Sequence, residues 1–482
     1  MLKLVPHHHA HSVWPAIQSF SANAPTSFNL TDLNHWYSAS TTDPLHPAIL
    51  ACGAWSALVW VLSEVTGNVS QVDRLWTTLP LFYSAHFTFY PYLAGHVTSV
   101  RDLDPRMLLV LGLQGLWSAR LTYQSARRGF LNPRSEDYRW PLVRAKMNPL
   151  AFKLLNLFFI SIAQNVLLLV AELPQYLLLS HSLSSSASIA NLARLKPFQA
   201  TTETVPLNGA DAILAGLFVT TLVFEMKADN QQQRFQNLKK RAMQKQRTGK
   251  ALNTVEEKAL QRGFVAEGLW SWSRHPNFAA EQTTWYLLYA FTVLPFLPLS
   301  TSLTSHPLST LTSLANPSSF PKLFAHSRSL LTTISTHTPS LDEALTALSH
   351  PLAASKVSLS NPTLLLTHVP TLPEAKLVAL RTLRVATEEV KADEGLYWNY
   401  SILAPLSMSA LFVASTDLTE RITGGKYPLY KTYRKRVAKF WPVLTPLKGI
   451  WLALSGGRRG RIDRKIWGEG KGKGSAGKLK AK

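Results

Sequence analysis

Long apolar runs recur between residues 48 and 414, and they set what this chain can fold into. Ala48–Val65, Leu75–Leu93, Met107–Leu121, Leu150–Leu179, Ala210–Phe224, Thr283–Leu299 and Leu396–Ala414 each approach or exceed the roughly 20 residues that a helix needs to cross a bilayer. Lipid offers no partner for a bare peptide group, so such runs must close their own hydrogen bonds as helices. The expected fold is all-α: a polytopic membrane helical bundle of about seven transmembrane helices. Two runs, Met107–Leu121 and Ala210–Phe224, are short, and Leu150–Leu179 is long and broken near Pro174. Buried helices of a soluble protein are the alternative, but one soluble core rarely needs so many of them.

The 482 residues carry a formal charge of +22. In a soluble protein that surplus would suggest nucleic acid. Here its placement reads as topology, because Lys and Arg concentrate in Arg120–Lys146, Lys227–Arg274 and Arg421–Lys482. The stretches between, Ser180–Asn208 and Ser300–Asp393, are poor in net positive charge. Helices separate the basic stretches in pairs, which puts all of them on one side, and the positive-inside rule makes that side cytosolic. No nucleic acid partner and no metal are expected. His7, His8, His9 and His11 stand where a cleavable leader would be apolar, and read as a polar tail. Cys52 is the single cysteine, so no intrachain disulfide can form.

Composition divides the chain. Residues 1–47 read as a disordered Ser, Thr, His and Pro segment. Residues 48–300 form the first part of a membrane domain. Residues 301–394 are a Ser/Thr/Leu-rich insertion on the non-cytosolic face, with an amphipathic helix expected over Pro373–Lys391. Residues 395–442 complete the domain with a last transmembrane helix and a Tyr/Arg segment, and 443–482 read as a basic flexible tail. The terminal Lys478-Leu479-Lys480-Ala481-Lys482 resembles a dilysine retrieval signal of the endoplasmic reticulum, although chance produces it easily in such a tail. Asn29-Leu-Thr31 and Asn399-Tyr-Ser401 are glycosylation acceptors placed outside the cytosol, or at that edge, by this topology.

Four clusters carry chemistry, all where expected helices meet the basic side. In the first, Trp117, Arg120 and Tyr123 or Gln124 share a helical face that continues to Arg127, followed by Arg128-Gly129 and Glu136-Asp137-Tyr138-Arg139-Trp140. Arginines at a helix end can hold phosphates in bidentate fashion; a positive-inside anchor with an aromatic belt explains the same residues equally well. In the second, Glu225 and Asp229 lie four apart at a helix exit, able to accept from a ribose or an amide, or simply to solvate that end. The third is Gly268-Leu-Trp-Ser-Trp-Ser-Arg274-His275-Pro276-Asn277, with Glu281 one turn inside the following apolar run. Pro276 fixes the turn, Arg274, His275 and Asn277 supply polar groups, and a carboxylate at a membrane boundary is costly enough to suggest function. The fourth, Tyr427-Pro-Leu-Tyr430-Lys-Thr-Tyr433-Arg434, stacks tyrosines beside cations. That arrangement suits clamping an adenine and its phosphates, or anchoring an interfacial helix. No Gly-x-Gly-x-x-Gly unit, phosphate-binding Gly-x-x-x-x-Gly-Lys loop or His-Glu-x-x-His motif occurs.

Taken together, Trp117…Arg120-Leu, Arg128-Gly129, Glu136-Asp-Tyr-Arg139-Trp140, Glu225…Asp229, Gly268-Leu-Trp-x-x-Ser-Arg274-His-Pro-Asn277…Glu281 and Tyr430-x-x-Tyr433…Pro442 resemble the steroid 5-alpha-reductase-like membrane proteins. Within them they are most similar to a branch of unknown function that shares the C-terminal reductase domain. The resemblance covers roughly Ala48–Ser300 and Leu396–Pro442. It implies a seven-helix enzyme of the endoplasmic reticulum that binds NADPH from the cytosol and reduces a carbon–carbon double bond conjugated to a carbonyl in a lipid or sterol-like substrate. On this resemblance Arg120, Arg127, Asp229, Arg274, His275, Asn277, Tyr430 and Tyr433 bind the cofactor. Glu281 and Trp117 sit at the reacting end, and Asp73 (or Glu64) is the candidate acid for the substrate carbonyl. The chain departs from the family in reading Asn277-Phe278-Ala279-Ala280-Glu281 where Asn-Tyr-Phe-Gly-Glu is usual, losing a tyrosine hydroxyl. The competing readings are an S-adenosylmethionine-dependent isoprenylcysteine-type membrane methyltransferase and a non-catalytic lipid-binding or scaffold protein.

Overall fold

The computed structural model describes residues 43–185, 207–296 and 399–468 except 456, with isolated positions 16, 17, 20 and 37. The insertion over 301–394, nearly all of segment 1–47 and the dilysine-like terminus lie outside the described residues. Helices follow in the order α1 (Leu45–Thr66), α2 (Gln71–Leu75), α3 (Leu79–Leu93), α4 (Pro105–Arg127) and α5 (Arg139–Arg144). Then come α6 (Pro149–Leu155), α7 (Gln164–Val170), α8 (Leu173–Ser185), α9 (Gly209–Arg247), α10 (Thr254–Arg262) and α11 (Pro276–Ala290). The chain closes with α12 (Leu403–Lys426), α13 (Leu429–Arg436), α14 (Leu444–Leu454) and α15 (Arg458–Trp467). No strand forms among the described residues; a single parallel bridge joins Ser273 to Ala438.

Four of these stretches are long and apolar enough to cross a membrane: Leu45–Thr66, Pro149–Ser182, Gly209–Arg247 and Tyr400–Lys426. The expectation of about seven spans is therefore met only in part, and the reasons are local. Helix α3 has 15 residues with Pro91 near its end, and α11 has 15 residues starting at Pro276, so both are shorter than the apolar runs that announced them. Helix α4 has 23 residues but buries Arg106, Gln114, Arg120 and Gln124 on its inner face. The long run over Leu150–Leu179 breaks at Ala171-Glu172, just ahead of Pro174, and passes through a π-helical stretch at Asn156–Ala163. A π bulge of this kind shifts the helix face partway along its length.

Helix α9 organises the bundle. A reciprocal cap between Asn208 and Asp211 starts it, and its 39 residues extend about 58 Å at 1.5 Å each. That is nearly twice the roughly 30 Å of a hydrocarbon layer, so a polar half projects beyond it. Two buried ion pairs tie α9 to α4, one at each end of the apolar half. Arg106 Nε bonds Asp211 Oδ1 at 2.8 Å, and Arg120 Nη1 bonds Asp229 Oδ2 at 3.2 Å. The 18 residues from Asp211 to Asp229 correspond to about 27 Å of helix, close to one membrane thickness. Between them lies the core, in which Tyr83, Phe87, Trp117, Phe218, Trp285 and Phe291 are buried together.

The basic stretches meet at the Arg120 end, as expected from their spacing. Arg128 pairs with Asp229, Lys239 Nζ donates to the Gly263 carbonyl and lies over the Tyr427 ring, and Arg139 donates to Ser415. One expectation is overturned here. The stretch read as a flexible tail from residue 443 contains α14 and α15, because Ile466 and Trp467 pack against Phe264, Tyr430 and Tyr433 and Asp463 binds Arg436 at 2.8 Å. The apolar residues Ile462, Ile466 and Trp467 were too few among arginines and glycines to announce a helix.

Candidate functional site

Three helices each bring an i, i+4 pair or ladder of polar residues to one place. On α4 these are Trp117, Arg120 and Gln124, with Arg128 capping its end; on α9, Glu225 and Asp229; on α11, Asn277, Glu281 and Trp285. Spacings of three and four stack side chains on one helix face, so each set points the same way. Arg120 is the hub. It is buried, and its guanidinium meets Glu225 at 2.9 Å, Asp229 at 3.2 Å and Glu281 at 3.2 Å. Trp117 Nε1 donates to Glu281 Oε1 at 3.0 Å, and its ring meets Trp285 edge-on at 5.3 Å. Asn277 Nδ2 and Arg128 Nη2 both donate to Asp229 Oδ1, at 3.2 and 2.8 Å. Arg127 sits at the rim, donating to Asn230 and stacking on Tyr123.

This cluster is incompletely satisfied. Arg120 Nε, Glu225 Oε2, Asn277 Oδ1 and both amide atoms of Gln124 are buried without a hydrogen-bond partner. Buried polar atoms without partners are rare because each costs about 1–3 kcal/mol, so several in one place mark a position built for something else. One turn deeper on α4, Gln114 Nε2 donates to Glu172 Oε2 at 2.8 Å, while Glu172 Oε1 and Gln114 Oε1 also lack partners.

A second cluster holds the opposite arrangement. Glu420 on α12 receives Arg274 Nε at 2.6 Å and Nη2 at 3.2 Å, Arg434 Nε at 3.0 Å, Tyr430 Oη at 3.3 Å and His275 Nε2 at 3.0 Å. Arg274 Nη1 donates to the carbonyls of Val437 and Arg434, and the backbone N–H groups of Arg274 and His275 bond Ala438 and Lys439. Tyr433 donates to the Trp270 carbonyl, while Trp270 Nε1 donates to the carbonyl of Ala228, beside Asp229. The turn is tight enough to need glycine. Gly268 sits at φ +62°, and a Cβ there would lie 2.7 Å from the Gln231 amide that accepts the Leu269 N–H. Burial holds the His275 imidazolium below its ordinary pKa of 6.5 against the opposing pull of the Glu420 carboxylate, with Arg274 and Lys439 reinforcing the drop. Burial likewise pushes the Tyr430 and Tyr433 hydroxyls above the ordinary tyrosine value.

Most of the residues singled out by sequence come together, with differences in role. Trp117, Arg120, Asp229, Asn277 and Glu281 form the hub. Arg274, His275, Tyr430 and Tyr433 adjoin it, and their polar atoms bond protein acceptors in a latch that shapes the turn. Arg120 bonds three carboxylates through its two Nη atoms, which leaves Nε without a partner. Asp73 stands apart: its Oδ2 accepts from Trp140 Nε1 at 3.1 Å, and burial raises its pKa above the ordinary 3.8 despite that bond. It belongs with Arg139, Asp137 and Glu136, which pin residues 132–144 to α2, and shares no bond with Trp117 or Glu281. Glu64 bonds Asn156 at 2.9 Å. Sequence reasoning missed Glu420; the signal was a carboxylate a few residues from the end of an apolar run, close to the pattern already used for Glu281.

The fold and site define a helical protein with, among the described residues, four helices long and apolar enough to cross a membrane, and a buried charge cluster at one end of the bundle. The chain belongs to the DUF1295 family of proteins of unknown function, which it matches over residues 59–330. That range contains the whole Arg120 cluster, while Glu420, Tyr430 and Tyr433 lie beyond it. An uncharacterised protein of Schizosaccharomyces pombe is 35% identical over 250 residues, amounting to 52% of this chain and 65% of that relative. This chain thus covers just under two thirds of the relative's length. No solved structure matches.

Proposed function

We propose that the protein is an integral membrane oxidoreductase of the steroid 5-alpha-reductase-like kind, with about seven helices in the bilayer. It uses NADPH to reduce a carbon–carbon double bond of a lipid or steroid-like enone, in the endoplasmic reticulum. The observation that carries this reading is the Arg120 hub, a polar cluster with orphaned buried atoms set at the boundary of an apolar bundle. The orphaned groups fit a nicotinamide carboxamide: Asn277 Oδ1 can accept its N–H, and Gln124 offers both a donor and an acceptor. Arg127, Arg128 and Arg434 are exposed at the mouth and would hold the phosphates.

NADPH supplies a hydride when bound. Everything else falls to the chain. Arg120 fixes the three carboxylates that surround it, and Trp117 and Trp285 close the inner wall against water. Glu225 and Glu281, both fixed by Arg120, would line the end of the site that holds the nicotinamide. The substrate enters between apolar helices, and its carbonyl oxygen is assigned to the second amide N–H of Gln114, held in place by Glu172. That pair takes the role first expected of Asp73.

The same surplus of carboxylate would also hold a sulfonium, which is the observation favouring a methyltransferase that uses S-adenosylmethionine. Titrating the purified full chain in detergent with each cofactor separates the readings. Saturable binding of NADPH, with oxidation of NADPH on adding an enone lipid, is expected. Binding of S-adenosylmethionine alone overturns the reductase, and binding of neither points to a scaffold.

A further inference from the structure

Helix α14 turns the wrong side outward. Its buried face is Thr445, Gly449 and Leu452, small or modest residues. Its outer face carries Leu447 (59% exposed), Ile450 (52%), Trp451 (65%) and Leu454 (82%), preceded by Val443 (71%). The inward face is fixed by named bonds, so the helix cannot simply roll over. Thr445 Oγ1 donates to the Trp272 carbonyl at 2.5 Å and accepts the Ala438 N–H at 2.8 Å, and the Arg436 guanidinium lies against Gly449. A contiguous apolar face held out in this way marks an interaction surface.

Position and charge say what covers it. Lys439, five residues before α14, bonds Asp417 at 2.7 Å, which ties the segment leading into the helix to α12, the last described helix long enough to cross a membrane. With 11 residues, α14 is about 16 Å long and cannot span. Trp272 and Trp441, both exposed, flank it, and with Trp451 they make the tryptophan-rich rim found where acyl chains meet headgroups. Immediately after it, α15 exposes Arg458, Arg459, Arg461, Arg464 and Lys465. An apolar face bordered by arginines is the pattern of a helix lying in the plane of an anionic bilayer surface.

We infer that α14 is an interfacial helix that seats its Leu447–Trp451–Leu454 face in the acyl boundary of the same membrane, while the arginines of α15 contact the phosphates of anionic lipids. The seat would fix the turn Trp272–Pro276 relative to the bilayer, because α14 is bonded to Trp272 directly.

The test uses the full chain in nanodiscs, in a Cys52→Ser background that removes the single native thiol. Spin labels are placed one at a time by Leu447→Cys, Trp451→Cys, Leu454→Cys and, as a solvent control, Lys465→Cys. The apolar-face labels should collide with dissolved oxygen several-fold more than with a water-soluble nickel chelate, and the control label should show the reverse. Adding phosphatidylserine to phosphatidylcholine discs should deepen the 454 label, and Arg458→Glu with Arg461→Glu should abolish that deepening. Free access of nickel to 447, 451 and 454 overturns the seating. Dipolar broadening between labels would show that a second copy covers the face and overturns it equally. Equal depth in both lipid compositions overturns the anionic contact.

Discussion

The two charge clusters at the end of the bundle are mirror images. In one, a single carboxylate, Glu420, is ringed by Arg274, Arg434, His275 and Tyr430, and all three Arg274 nitrogens have protein acceptors. In the other, a single guanidinium, Arg120, is ringed by Glu225, Asp229 and Glu281, and several of the surrounding polar atoms have no partner. Both are buried, and both join distant segments. The difference is saturation. A filled network holds its segments in one geometry, whereas an unfilled one leaves buried donors and acceptors without a protein partner.

Removing the hub of each cluster should separate the two roles. Glu420→Ala leaves a buried guanidinium uncompensated, a loss of about 3–5 kcal/mol. Thermal unfolding in detergent should fall by many degrees and protein yield with it; an unchanged midpoint would show that the latch holds nothing.

Glu172→Gln should lower kcat for an enone with little change in NADPH affinity, by up to the roughly 3 kcal/mol that one well-placed donor contributes at a developing oxyanion. Steady-state kinetics against both substrates reads this directly, and a change confined to the NADPH constant would move Glu172 out of the proposed substrate site. Asn277→Ala removes the orphaned acceptor. NADPH affinity should weaken about 10- to 100-fold, the effect of about 1–3 kcal/mol, with the unfolding midpoint moving far less than for Glu420→Ala.

The latch should also carry a pH signature. The folded-state pKa of His275 lies below 6.5, so the unfolded chain takes up the proton first as pH falls. Stability from neutral His275 is complete above about pH 6.5 and is lost progressively as pH drops through the folded value. His275→Gln should flatten the fall of the unfolding midpoint across that window; identical profiles would mean that another group titrates there. The smallest effect belongs to the rim. Arg127→Ala should cost no more than about 1 kcal/mol of stability, as exposed pairs do, yet reduce NADPH affinity and its dependence on salt.

Much of this was legible in the chain. Helical periodicity placed Trp117 with Arg120, Glu225 with Asp229 and Asn277 with Glu281, because i, i+3 and i, i+4 neighbours share a face in any helix. Grouping of the basic stretches at one end followed from the number of apolar segments between them. Other features had no local signal. Asp73 and Glu281 are both carboxylates near apolar runs, and only their partners, an indole of the 132–144 segment for one and the Arg120 hub for the other, tell them apart. Glu420 lies 146 residues from Arg274, so nothing in either neighbourhood announces the pair. Residues 455–467 looked too basic and glycine-rich to order, until contacts with Phe264, Ala266 and α13 supplied a surface, while α14 is bonded to the turn at Trp272.

Sequence alone determined that this chain makes apolar helices, which side its cations favour and which side chains share a face, since those depend on residues within a few positions of one another. Tertiary structure decided which carboxylate meets which guanidinium, which of those networks is filled and which is left open, and that one short helix points its leucines and tryptophan outward. Those outcomes depend on side chains a hundred or more residues apart meeting at low dielectric, where a partner's presence or absence outweighs any local preference.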